Sequence, residues 1–146
     1  MKYRMIILRV VSVLILASLV FKCFGCAPED PSVIAGKVAK EWANNNVDSV
    51  SESIIDLVAQ GNPVAQMAMS VTVKNEIKRR IVWEYSTPVK LGEERYKVIA
   101  TAYTVIDLPV LGSYKASLNY NLEIDTEHRQ VISADMNPSS FALSKQ

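Results

Sequence analysis

The stretch Tyr114-Lys115-Ala116-Ser117-Leu118-Asn119-Tyr120-Asn121-Leu122-Glu123-Ile124-Asp125 decides the fold class. Apolar or aromatic residues hold every even position and polar residues every odd one. A side-chain period of two gives a β-strand with one buried and one wet face. Downstream, Thr126-Glu127-His128 makes a tight connection to a last strand over Val131 to Met136. Upstream, Leu108-Pro109-Val110-Leu111-Gly112 is a loop. Before it, Arg95 to Asp107 is β-branched, aromatic and apolar on both faces, which predicts a central strand. Ile81, Trp83 and Tyr85 alternate with Val82, Glu84 and Ser86 until Pro88, and a turn at Gly92-Glu93-Glu94 follows.

Before Arg80 the apolar period is close to 3.6. Ile34, Val38 and Trp42, with Ala35 and Ala39 beside them, predict a helix from Ser32 or Val33 to about Ala43. Asn44-Asn45-Asn46 breaks it and supplies a cap for a second helix over about Val47 to Gln60, with Val47, Val50, Ile54, Leu57 and Val58 as its stripe. Gly61 suits the position that ends this helix, and Asn62-Pro63 starts a third that runs to about Arg80. Helices first and strands second predict an α+β fold: N-terminal helices packed on a curved antiparallel sheet of about four strands. Residues 33–137 are expected to form the single domain, and residues 138–146 a loosely ordered tail.

The first 25 residues read as a signal peptide or N-terminal membrane anchor. Lys2, Arg4 and Arg9 precede or interrupt an apolar run from Met5 to Phe21, whose charge-free part, Val10 to Phe21, has the length of a signal-peptide apolar region. Residues 26–32 form a polar, proline-containing linker. The positive residues keep the N-terminus cytoplasmic and send the rest across the membrane. The whole chain carries a formal charge of +1, but residues 1–25 hold four of its 16 Lys and Arg and no acid. What remains has 12 basic against 15 acidic groups, a net charge of −3. That argues against a nucleic-acid partner.

Both cysteines, Cys23 and Cys26, lie just after the apolar run, where a disulfide framework would not confine them. Gly25-Cys26 resembles the end of the bacterial lipoprotein processing motif, although Cys23 and Phe24 depart from its leucine and small-residue positions. The resemblance implies lipid attachment at Cys26; the other reading is an uncleaved anchor. Either one predicts a membrane attachment and a place on the extracytoplasmic face of a bacterial cell envelope.

The succession of helices and antiparallel strands resembles the cystatin-like and nuclear-transport-factor-2-like folds. The hairpin Tyr120 to Ile132 is similar to the closing hairpin of PepSY-type exported domains, without the Thr-Gly usual in its turn. The nuclear-transport-factor-2-like resemblance implies a pocket between sheet and helices, with Trp83, Tyr103, Tyr120 and Asp107 as its candidate residues. A carboxyl raised in pKa by an apolar pocket does acid–base work. The ordinary explanation of Asp107 is a solvated strand end. His128, the one histidine, reads as a turn residue with no nucleophile to serve. Lys74, Lys78, Arg79 and Arg80 read as cations favourably placed at a helix C-terminus, with contact to anionic lipid as the alternative. No Gly-rich phosphate loop, metal-ligand pair or nucleophile elbow occurs, so no cofactor and no metal are expected. Two functions follow. The first is a membrane-tethered, non-catalytic envelope domain that binds a protein or small hydrophobic ligand. The alternative is a small pocket enzyme of isomerase or hydrolase type.

Overall fold

A computed structural model describes residues 28–59, 72–108 and 112–146. Pro31–Gln146 forms one compact unit. In it, α1 (Pro31–Asn45), α2 (Val47–Val58) and α3 (Thr72–Arg80) precede β1 (Val82–Tyr85), β2 (Val89–Lys90), β3 (Arg95–Leu108), β4 (Gly112–Asp125) and β5 (Gln130–Lys145). The protein is α+β, with helices before an antiparallel sheet. The sheet has five strands rather than about four: β1 and β2 share one edge of β3, and β4 and β5 follow on its other side. The expected helix starts and caps at Gly61 and Asn62-Pro63, and the loop at Pro109 to Leu111, lie outside the described residues.

The β3–β4 hairpin is the centre of the fold. Its register sets Tyr96 opposite Ile124, Val98 opposite Leu122, Ala100 opposite Tyr120, Ala102 opposite Leu118 and Thr104 opposite Ala116. All ten are buried, and opposed residues share a sheet face. Even-numbered side chains of both strands therefore face the helices, as the period of two predicts. Gly112 opens β4 at φ +94°, a conformation that glycine adopts without steric cost.

Ala35, Ala39 and Ala43 of α1 are fully buried, whereas Ile34 and Trp42 are half-buried against the core. The buried face of α1 is thus made by these alanines and Val38, with Ile34 and Trp42 at its margins. Small side chains on α1, and Ala100 and Ala102 on β3, suit close approach of helix and sheet. Asn46 also departs from the expected cap. Its Nδ2 donates to the Trp42 carbonyl at 2.8 Å and makes no side-chain cap to α2. It closes α1 instead, and Asp48 supplies the acidic group in the first turn of α2.

The expected loose tail is strand. Pro138 suggests a strand end because it cannot donate to a ladder. Here the ladder continues past it: Asn137 pairs with Asn119, and Ala142 with Ser117, so the intervening residues of β5 bulge outward. The Ser140 hydroxyl fills the gap. It accepts from the Asn119 N–H at 2.9 Å and donates to the Asn137 carbonyl at 2.6 Å. Pairing then resumes to Tyr114 opposite Lys145, and Phe141 packs against the core. On the opposite edge, where Pro88 separates β1 from β2, the Ile99 N–H donates to Ser86 Oγ at 2.9 Å.

Leu118 is fully buried, and truncating it leaves a cavity in the core. Leu118→Ala is expected to cost about 2–5 kcal/mol, whereas Asn121→Ala on the wet face of the same strand is expected to stay within about 0.5 kcal/mol. Chemical denaturation of the two variants checks the contrast.

Candidate functional site

The four residues expected to share a pocket fall on two sides of the sheet. Trp83 lies opposite Ala102, and Tyr120 opposite Ala100, so both rings face the helices. Tyr103 lies opposite Val82 on one side and Ser117 on the other, on the face that the helices leave open. Asp107 is opposite Ser113, at the end of that same open face. The pocket that would join them is not assembled.

On the helix side the aromatic rings pack on one another. Trp42 meets Trp83 edge-on at 6.2 Å between ring centroids and Tyr120 at 5.4 Å, while Trp83 stacks on Tyr85 at 6.5 Å. These distances fall in the range for direct aromatic contact. The cluster joins α1, β1 and β4. Burial raises the Tyr120 phenol pKa, offset in part by Ser53. No hydrogen bond of ordinary geometry reaches the Tyr120 hydroxyl or that of Thr104 among the described residues, and the Ser53 hydroxyl donates to the Ser49 carbonyl at 3.0 Å.

Asp107 is the reverse of a catalytic acid. Its side chain is 45% exposed and its Oδ2 lies 2.6 Å from Nη1 of Arg80. The Ser113 hydroxyl donates to its other oxygen. Ser113 first, then Arg80, hold the carboxyl below the usual carboxylate range, whereas an acid working near neutral pH needs the opposite shift. The acid–base site proposed around Asp107 is therefore corrected to a surface ion pair. Arg80 also meets Glu76 at 2.7 Å, Lys74 pairs with Glu52, and Lys78 pairs with Asp48. Three of the four cations considered for lipid contact are thus held in ion pairs around α3.

What the open face does form is a shallow cleft of about 310 Å³, lined by Arg80, Val82, Glu84, Tyr103, Val105 and Lys115. Lys115 Nζ lies 4.8 Å from the centre of the Tyr103 ring, within cation–π range. A hydrogen bond to Glu84 raises the Tyr103 pKa, so the phenol stays protonated. A half-apolar floor with one acid and two bases at its rim suits binding of a ligand with both apolar and polar groups. No family model, curated protein or solved structure matches the chain. Sequence reasoning named Tyr103 but missed Lys115 and Glu84. Their signal is the parity of the strands once the register is known. Cys26 lies outside the described residues.

His128 closes the β4–β5 turn. Its backbone N–H donates to Asp125 Oδ1 at 3.0 Å, and its Nδ1 lies 2.9 Å from Oδ2. The side-chain hydrogen bond and charge of Asp125 raise the imidazole pKa, and contact with His128 lowers that of Asp125. A raised histidine stabilises the fold below its unfolded pKa and ceases to do so as pH rises through the folded value. A depressed aspartate stabilises it above its unfolded pKa and ceases to do so as pH falls through the folded one. The pair therefore works between the carboxylate and imidazole ranges and fades on both sides. Imidazole proton shifts in NMR are expected to report a His128 pKa above 6.5, and Asp125→Asn to bring it back toward that value. In the core, Tyr120→Phe removes a hydroxyl that lacks a well-formed partner, so denaturation midpoints are expected to show no loss beyond about 1 kcal/mol.

Proposed function

We propose that this chain is a membrane-tethered, non-catalytic domain of a bacterial cell envelope that binds a ligand or protein through the open face of its sheet. The observation that carries the binding part is the one-sided cover. Helices occupy the face of Ala100, Ala102 and Leu118, while Val82, Ile99, Tyr103 and Val105 stand on the other, exposed or half-exposed among polar neighbours. The tether rests on the positively flanked apolar leader and on the polar linker before Pro31. Lipid attachment at Cys26 is the preferred form, supported by Gly25-Cys26 and by the confinement of both cysteines to this junction. The sheet is read as curved around the helices in the manner of the cystatin-like and nuclear-transport-factor-2-like folds. The element order and the bulges in β5, which bend a strand, support this.

Intact-mass analysis of the protein extracted from membranes tests the tether. A diacylglyceryl-modified N-terminus at Cys26 is expected, and a chain that begins at Met1 points to the uncleaved anchor instead. Recovery of the unmodified chain in the cytosolic fraction overturns both forms.

A further inference from the structure

Tyr103 stands in the middle of the cleft on the open face, and opposite charges stand on its two diagonals. Glu84 of β1 lies opposite Thr101, two residues before Tyr103. Lys115 of β4 lies opposite Val105, two residues after it. Diagonal neighbours on one sheet face are about 7–8 Å apart, a gap that long side chains span. Both side chains do so. The Glu84 carboxylate reaches the Tyr103 phenol, and the Lys115 ammonium lies 4.8 Å from the ring centre. Neither charge forms an ion pair among the described residues. Arg80, at the same rim, is by contrast held by Glu76 and Asp107.

The floor between the two charges is apolar. Val82 lies opposite Tyr103 on the same face and is 62% exposed, and Val105 follows Tyr103 along β3. The cleft, of about 310 Å³, therefore offers an anion on one side, a cation on the other and an apolar surface in the middle. A matching ligand carries an ammonium group and a carboxylate at opposite ends of an apolar body. A zwitterionic lipid does not match, because both its charges lie at one end of its apolar tails. A short apolar peptide with free ends does. With the open face of the sheet taken as the binding surface, we infer that this cleft binds a short apolar peptide by its two termini. Glu84 receives the terminal ammonium, Lys115 receives the terminal carboxylate, and Tyr103, Val82 and Val105 carry the apolar side chains between them. Hydrogen bonds between ionised partners are stronger than neutral ones, so each free terminus adds to the affinity.

Heteronuclear NMR titration of the full-length chain in detergent micelles tests the inference with three probes: leucyl-leucine, its N-acetyl form and its C-terminal amide. Leucyl-leucine is expected to shift the backbone resonances of Tyr103, Lys115 and Ser117. Each blocked form is expected to bind about fivefold more weakly, the scale of one exposed charge pair. Glu84→Gln is expected to abolish the difference between the free and acetylated peptides and to keep the penalty for the amide. Lys115→Gln is expected to do the converse. Both side chains are exposed, so the variants are expected to keep the native spectrum. Blocked forms that bind as tightly as the free peptide, or no shift with any of the three probes, overturn the inference and leave the open face to a different ligand. Shifts confined to α1, α2 and α3 overturn the open-face reading with it.

Discussion

Ala100 faces Tyr120 and Ala102 faces Leu118 across the central hairpin. This alternation of small and large side chains on one sheet face is the constraint on which the rest of the structure depends. A large residue beside a small one leaves a groove, and a helix with alanine on its inner face can lie in such a groove. Ala35, Ala39 and Ala43 provide that inner face. Because side chains alternate strictly along a strand, a one-residue slip of the hairpin would carry the whole set to solvent. The register of β3 on β4 and the seating of α1 are therefore one requirement.

The margins of the core are closed by different means. At one side Trp42, Trp83, Tyr85 and Tyr120 cover the sheet with edge-on, tilted and stacked ring contacts. On the helical layer Lys74 and Lys78 of α3 reach the acids of α2, and Arg80 reaches back to Asp107 on β3. These ion pairs are half-exposed and contribute little each. What they do is satisfy the basic end of α3 and orient it over the strand. At the far end of the sheet, Thr126 donates its N–H to the Glu94 carbonyl at 2.9 Å and its hydroxyl to the same oxygen at 3.1 Å. That bond fastens the turn before β5 to the turn before β3.

The strands were legible because alternation from Tyr114 to Asp125 admits one reading. The inner face of α1 was legible in part: Val38 and the alanines beside the stripe, Ala35 and Ala39, are buried as expected, whereas Ile34 and Trp42 stay half-buried and Ala43 takes the inner position. The extent of β5 was hidden by Pro138, whose missing donor is the usual mark of a strand end. The rescue comes from a serine hydroxyl two residues later, which no local pattern announces. The candidate pocket failed on parity. Trp83 and Tyr120 face the helices, Tyr103 and Asp107 face away, and the face of each depends on cross-strand register. Arg95 to Asp107 is apolar on both faces, so the pattern of that strand alone does not say which parity points inward. The left-handed conformation of Arg129, φ 51°, is likewise unexpected for a non-glycine residue. It stands at the turn where a Thr-Gly pair is absent.

The outward bulge after Asn137 divides the last strand into two lengths of ladder, and the Ser140 hydroxyl bridges Asn119 and Asn137 at the break. The second length is short, Ala142 to Lys145, but Phe141 packs it against the core and the Gln146 N–H donates to the Ser113 carbonyl at 3.0 Å at its end. One continuous segment of chain thus meets β4 twice, in two separate registers on either side of Pro138.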